Sequence, residues 1–422
     1  MVGEFELPGG FTLLVRGPGS VEVLDGDVEV FGAPLDRGSG LRIPEGRVIP
    51  LEARKDSFVR SSAEGMETLE GTAVPRIWEE MAEEALDRKV VMAMGTSDMG
   101  KSSMILYMVN RALRAGRRPA VVDADIGQTD IGPPGTIGLA FPQTPAPTYS
   151  GFGLSDAYFI GDKSPAGHLL PMIVGSRLMV NEALSAGAAP VFVNTTGLVE
   201  GSVGWALKVH KVEVLMPDML IAVQREAELE PVLRSIPQGM NVKRVRPPGA
   251  LRKDRGSRIR YRVMSLASFA EGRTRVEVGL NGIRVVNART LLMADDGILR
   301  RKLEAATGAR PELAGASYGE AVAIFRERLD QRSFAYALAV LKDAGEARIV
   351  TMDRLRGLYL GFLDRHDRFI GVGRLLELDL RTGVLRGEAK ISAGNEIGGV
   401  VFGSLILDDD WQEMDSIRPG YL

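Results

Sequence analysis

No cysteine occurs in the 422 residues. That absence removes disulfides, thiolate metal sites and cysteine nucleophiles together. Histidine is nearly as scarce. His168, His210 and His366 are scattered, too few for a His-built zinc site or a serine–histidine pair, and each reads as a surface or internally satisfied side chain. No apolar run reaches the roughly 18 residues that a bilayer demands. The opening ten residues, with Glu4 and Glu6, lack the basic start and apolar centre of a signal peptide. The expectation is a cytoplasmic protein with no membrane contact. A strong charge of either sign is missing too: the net of −3 gives no global hint of a nucleic-acid partner. Lysine is sparse beside arginine, 11 against 41. A thermophile and a GC-rich genome produce that bias equally.

What the chain does have is Gly95-Thr96-Ser97-Asp98-Met99-Gly100-Lys101-Ser102-Ser103, which reads G-x-x-x-x-G-K-S. The apolar run 90–94 before it looks like a buried parallel strand. Behind it Met104, Ile105, Met108 and Val109 recur at helical spacing. That is the strand–loop–helix setting the pattern needs. Backbone N–H groups of such a loop and the helix N-terminus form a concave anion site for a triphosphate. Lys101 is placed to reach the outer phosphates and Ser102 to coordinate magnesium. A plain Gly-rich turn would not explain a Lys and a hydroxyl in the first helical turn.

The length suggests two or three domains. Residues 1–70 alternate short β-like runs with turns, which predicts a small β-sandwich. A polar link and Pro75 lead into an amphipathic helix. From 89 to 246, strand candidates at 90–94, 119–123, 190–194, 218–223 and 242–245 alternate with helices near 100–115, 171–187, 202–210 and 226–235. Such alternation predicts an α/β domain, a P-loop NTPase core with a parallel sheet, over 71–268. Strand-like runs return after 270, interrupted by helical patches near 318–328 and 332–342, so 269–422 is expected to be mainly β. Between Lys243 and Arg262 stand nine Lys or Arg residues against one acid, Asp254, in a stretch broken by Pro247-Pro248-Gly249. It reads as a mobile basic element over 247–262 rather than a regular helix face.

A P-loop does not say which reaction is served, and the strand Pro119-Ala-Val-Val-Asp123-Ala-Asp125 narrows it. Two acids one residue apart on a strand share a face. At a strand's carboxyl end beside the P-loop, one can order a metal's water shell while the other takes a proton from an attacking hydroxyl. With Gln128, the run Pro134-Gly-Thr-Ile-Gly138, then Asn194-Thr195-Thr196-Gly197-Leu198-Val-Glu-Gly201 and the basic 251–258 in that order, the chain resembles the polynucleotide 5′-hydroxyl kinase family. Its members include the RNA-cleavage and tRNA-splicing kinase and its archaeal relatives.

The resemblance implies an ATP-dependent, magnesium-assisted kinase acting on the 5′-hydroxyl end of RNA, with DNA as a second candidate acceptor and RNA-processing proteins as candidate partners. It assigns residues 95–103 to the nucleotide, with Lys101 also catalytic. Asp125 becomes the catalytic acid, and Asp123 its partner at substrate and metal, with Ser102 on the metal. Gln128, Thr195, Thr196 and Gly197 fall at the acceptor. Arg252, Arg255 and Arg258 fall in the lid, Arg255 and Arg258 favoured as the pair that closes over the transferring group. The family continues T-x-G-W, but position 198 is Leu, so no stacking ring stands there. Arg177 and Lys208 to Lys211 are weaker candidates for acceptor phosphates, and Trp205 reads as a packing residue. The competing readings are an inert ATP-bound scaffold subunit, for which Leu198 speaks, and a P-loop enzyme acting on a small molecule.

Overall fold

Alternating burial builds the first strands: Val21 and Val23 point into a core while Ser20 faces solvent and Glu22 is half-buried, the two-residue period of a half-buried strand. In the computed structural model, residues 2–63, 65–248, 255–392 and 394–422 are described, the side chains at 255, 257, 258 and 261 excepted. The chain divides into two compact units, Met1–Ser265 and Leu266–Leu422. Nine strands open the first: β1 (Gly3–Leu7), β2 (Phe11–Arg16), β3 (Gly19–Asp25), β4 (Val28–Val30), β5 (Ala33–Leu35), β6 (Gly40–Ile43), β7 (Val48–Ala53), β8 (Ser57–Ser61) and β9 (Gly65–Glu70). They form two sheets, ordered β1-β8-β3-β6 and β5-β4-β7-β2-β9. Helix α1 (Arg76–Ala85) follows and turns Trp78, Met81, Ala82 and Ala85 inward at helical spacing.

The central sheet collects β10 (Val90–Met94), β11 (Ala120–Ala124), β12 (Thr136–Ala140), β13 (Asp156–Phe159), β14 (Val191–Thr195), β15 (Met219–Val223) and β16 (Val242–Val245). Their order is β13-β12-β11-β14-β10-β15-β16. Helices α2 (Lys101–Arg114), α3 (Leu169–Ser185), α4 (Gly201–Leu215), the single turn α5 (Glu230–Leu233) and α6 (Arg255–Ala270) complete this part of the chain. Both sheet faces are buried. Val91, Ala93 and Val121 join one apolar cluster with Met104 and Met108 of α2. Met92, Met94 and Val122 join another with Met172 of α3 and Leu207 of α4. Each fully buried side chain of this size contributes about 1.5–3 kcal/mol relative to exposure. The first cluster also takes in Leu13, Val15 and Leu51, so one core runs from the opening sheets to the P-loop layer.

Several expectations need correction here. The sheet is mixed: β12 pairs antiparallel with β11, and β13 with β12. Strand β11 is not beside β10, because β14 lies between them. The helix expected over 226–235 shrinks to one turn. From Arg255 the basic segment is regular α-helix rather than an irregular element, since no Pro or Gly–Pro pair interrupts 257–270.

The second unit holds a sheet ordered β17-β24-β23-β22-β25-β18, with β26 paired to β25. These strands are β17 (Thr274–Gly279), β18 (Arg284–Val286), β22 (Leu358–Leu363), β23 (Phe369–Asp379), β24 (Val384–Ile391), β25 (Gly399–Leu407) and β26 (Glu413–Ser416). Between β18 and β22 comes a small α/β insert: α7 (Gly297–Thr307), β19 (Leu313–Ser317), β20 (Glu320–Phe325), α8 (Gln331–Lys342) and β21 (Glu346–Thr351). The patch expected to be helical at 318–328 is strand β20. Its Glu, Ala and Phe content favours neither state, and parallel pairing with β21 in a fully buried position decides for the strand.

Candidate active site

The P-loop leaves the carboxyl end of β10, whose five residues are all buried. A Cβ at Gly95 would stand 2.5 Å from the Val223 carbonyl oxygen of β15, so only glycine lets the chain turn there. Gly100 caps α2 with φ +78° and supplies no side chain to the first helical amides, which are left facing the loop's concavity. Lys101, only 5% exposed, folds back and donates from Nζ to the carbonyls of Gly95 (3.0 Å) and Thr96 (2.7 Å). Burial lowers its pKa, opposed by the carboxylates of Asp125, Asp98 and Asp123. Two of the ammonium's three N–H groups thus fix it to the loop, and the third is the one a phosphate can use.

Asp123 on β11 and Asp125 just beyond its end part company. Asp123 is 1% exposed and accepts from Asn194 Nδ2 (3.0 Å), Asp125 N (3.2 Å) and Asp130 N (2.9 Å), with the Thr129 hydroxyl 3.0 Å away. Burial, then the Asp130 and Asp125 carboxylates, pushes its pKa up to about 7. With both oxygens occupied it does not face the cleft, so the shared-face expectation gives way: Asp123 organises the loop and Asp125 lines the cleft. Asp125 borders one cavity with Ser97–Ser103, Gln128 and Arg47. Burial raises its pKa, while Lys101 and Lys208 draw it down.

Asn194 joins the donor and acid elements. In register it sits between Ala93 of β10 and Asp123 of β11. Its Nδ2 reaches both Asp123 and Ser102 Oγ (3.2 Å), while its buried Oδ1 has no partner among the described residues. An orphaned acceptor beside a serine hydroxyl and a carboxylate suits the waters of a hydrated magnesium ion. Among the described residues there is no cluster of three or more metal-ligating acids or histidines.

Strand β14 continues into Thr195-Thr196-Gly197. Both threonines were expected at the acceptor; the structure turns their hydroxyls inward. Thr195 Oγ1 donates to the Ala93 carbonyl (2.8 Å), and Thr196 Oγ1 accepts from Leu198 N (3.0 Å). Gly197 touches the P-loop: a Cβ there would lie 2.2 Å from Ser97 Oγ and 2.5 Å from Ser97 N. Leu198 is half-buried against the second core cluster. Lys208 and Lys211, weak candidates for acceptor phosphates, are both fully buried on α4, and Arg177 is occupied by the Val214 carbonyl (3.0 Å). Trp205 is more exposed than a packing residue, its Nε1 donating to Ser235 Oγ (3.0 Å).

The opening sheets reach this cleft as well. Arg47, just before β7, pairs with Asp130 at 2.5 Å and borders both the P-loop cavity and a neighbouring slot. That slot is lined by Phe31, Leu41, Ile49, Leu106 and Tyr149, with the Tyr149 hydroxyl donating to the Ser102 carbonyl (2.9 Å). Asn110 of α2 bonds Phe31 O and Ala146 O (2.9 Å each) and accepts from Ala146 N (3.0 Å), fixing the slot's walls. Of the lid candidates, Arg252 and the side chains of Arg255 and Arg258 lie outside the described residues. Two further arginines of α6 are described: Arg260 pairs with Glu45 at 2.5 Å, and Arg262 Nη1 donates to the Gly127 carbonyl at 3.4 Å. Asn194 and Arg47 escaped the sequence reading, and Lys208 was singled out there only as a phosphate contact, not as a buried side chain. Of the first two, only Asn194 left a signal there, as the residue opening the N-T-T-G run.

Residues 95–272 match the profile of the family described as mRNA cleavage and polyadenylation factor CLP1 P-loop. The chain is 25% identical to a polyribonucleotide 5′-hydroxyl-kinase of Methanocaldococcus jannaschii, covering 77% of this chain and 88% of the relative. It is 29% identical to one from Thermococcus kodakarensis, covering 78% and 91%. The Gallus gallus polyribonucleotide 5′-hydroxyl-kinase Clp1 is 28% identical over 51% of this chain and 56% of its own length. In fold the chain is similar to Clp1p solved in complex with Pcf11p, with a TM-score of 0.65 over 96% of this chain and 98% of that one at 12% identity.

Proposed function

We infer, from the match over residues 95–272 and the kinase relatives, that this chain belongs to the polynucleotide 5′-hydroxyl kinase family and transfers the γ-phosphoryl group of ATP to the 5′-hydroxyl of RNA. One observation supports the inference above the rest: Lys101, Ser102, Asp125 and Gln128 border a single cavity. The P-loop amides and Lys101 hold the β- and γ-phosphates. The adenine enters the slot of Phe31, Leu41, Ile49, Leu106 and Tyr149, with Arg47 standing between base and phosphates. Magnesium would be held at Ser102 Oγ, with Asn194 Oδ1 ordering its waters and Asp123 holding Asn194 in place, and when bound it neutralises charge on the phosphate oxygens.

The acceptor enters over Thr195–Gly197. Its 5′-oxygen attacks the γ-phosphorus as the bond to the β-phosphate oxygen breaks, and the hydroxyl proton passes to Asp125. A carboxylate whose pKa is raised by burial is a stronger base than an exposed one, and Lys101 and Lys208 limit the rise. The lid arginines Arg255 and Arg258, with Arg252 in reserve, deliver positive charge to the equatorial oxygens. Asp123 is a positioning residue in this scheme.

The test is incubation of 5′-hydroxyl RNA with γ-labelled ATP. The wild type should label the RNA. Asp125→Asn should lower kcat by a factor of about 10²–10⁴ while ATP still binds. Lys101→Ala should lose both transfer and tight ATP binding. A wild type that keeps ATP intact in the presence of RNA ends would instead make the chain an inert nucleotide-bound subunit, the reading that Leu198 favours.

A further inference from the structure

Beneath the Thr195–Gly197 turn lies a group that the scheme above uses only as a distant charge. Lys208 is fully buried, and its neighbours Leu207, Val209 and Val212 belong to the apolar core. Burying an amine there is costly, and an isosteric apolar side chain would pack without that cost. Among the described residues no carboxylate is hydrogen-bonded to it in return. The charged groups facing it are Lys211, Lys101 and, with opposite sign, Asp125.

What Lys208 has instead is two backbone-shaping hydrogen bonds. Nζ donates to Thr195 Oγ1 at 2.8 Å and to the Thr196 carbonyl at 2.5 Å. The Thr195 hydroxyl passes the connection on to the Ala93 carbonyl, two residues before the P-loop begins. One amine from α4 therefore fixes both residues at the end of β14, directly before the glycine that rests on Ser97. The donor side has supports of its own: Gly95 packs on Val223, and Lys101 clamps the loop's first two carbonyls. The acceptor turn has this lysine.

We propose that Lys208 is a positioning residue for the acceptor, holding the Thr195–Gly197 turn at the height where the incoming 5′-hydroxyl end is received. The proposal rests on the kinase reading and adds to it which buried group sets acceptor, rather than ATP, recognition. A misplacement of about 1 Å in such a turn is enough to cost on the order of 10²-fold in rate.

The test measures KM for RNA at saturating ATP and KM for ATP at saturating RNA. Lys208→Met should raise the RNA KM on the order of tenfold and lower kcat, with the ATP KM unchanged within about twofold. Thr195→Val cuts the same connection at its other end and should give the same split. Because the two share one linkage, the double variant should be little worse than the worse single one. Lys211→Met, one turn further along α4, should leave both KM values within about twofold of wild type. A variant that merely misfolds in part loses kcat with every KM intact, and that result for Lys208→Met would overturn the proposal. So would equal rises in both KM values. Should Lys208→Met not fold, Thr195→Val carries the same decision. A wild type without transfer would overturn the kinase reading as well, an outcome separate from either of these.

Discussion

Lys211 sits one turn along α4 from Lys208, fully enclosed, with no hydrogen-bond partner for Nζ among the described residues. Burial pulls its pKa down to about 7, against the attraction of Asp125. Between about pH 7 and its ordinary value of 10.5, the unfolded chain carries a proton there that the folded chain has shed. Stability attributable to this residue therefore rises with pH across that window, and the penalty is complete below it. Lys211→Met should raise Tm by a few degrees at pH 7, and the gain should shrink as pH approaches 10. Thermal unfolding of both proteins across that range checks it, and a gain of equal size at every pH would refute the assignment.

Among the elements, the turn after β14 has no room for a side chain at its glycine. Gly197→Ala would force its Cβ into the Ser97 backbone, which is the phosphate cradle itself. The Ser97 hydroxyl can rotate away, but Ser97 N at 2.5 Å is main chain and cannot, so the P-loop must shift. ATP affinity should fall on the order of tenfold or more, with the fold retained. Wild-type ATP affinity in that variant, read by titration with a fluorescent ATP analogue, would show that the two loops do not share this space.

The sequence makes β10, the P-loop, α2, β14 and β15 legible, because buried parallel strands are apolar runs and helices carry a 3.6-residue period. It leaves β12 and β13 hidden. Thr136–Ala140 is short and begins right after Pro133-Pro134, and its strand character comes from pairing with β11. Within the site, Lys101, Ser102, Asp125 and Gln128 are placed by their motifs. The inward turn of Thr195 and the burial of Lys208 depend on which side of α4 meets the sheet, and Lys208-Val-His-Lys211 reads equally well as a basic surface. Arg47 is invisible to any local pattern, since it reaches the cleft from a different sheet.

For the whole molecule, two compact units with separate apolar clusters imply that a single unfolding transition is not the default expectation. The three tryptophans are divided between them: Trp78 and Trp205 in the first, Trp411 in the second. ATP with magnesium at about 100 times Kd stabilises the unit that binds it by about 2.7 kcal/mol. In denaturant titrations of single-tryptophan variants, the transition reported by Trp78 or Trp205 should move to higher denaturant on adding nucleotide, and that reported by Trp411 should move less. Equal displacement would show that the chain unfolds as one body. The strand order has a consequence of another kind. Because β14 separates β10 from β11, two steps of about 4.8 Å set roughly 10 Å between the strand that leads into the P-loop and the strand that leads to Asp125, the base of the proposed reaction. The sheet is in effect a ruler cut to the reaction. Lengthening loops cannot change its graduation, so retargeting this scaffold to another alcohol means resurfacing 195–201 and leaving the ruler alone.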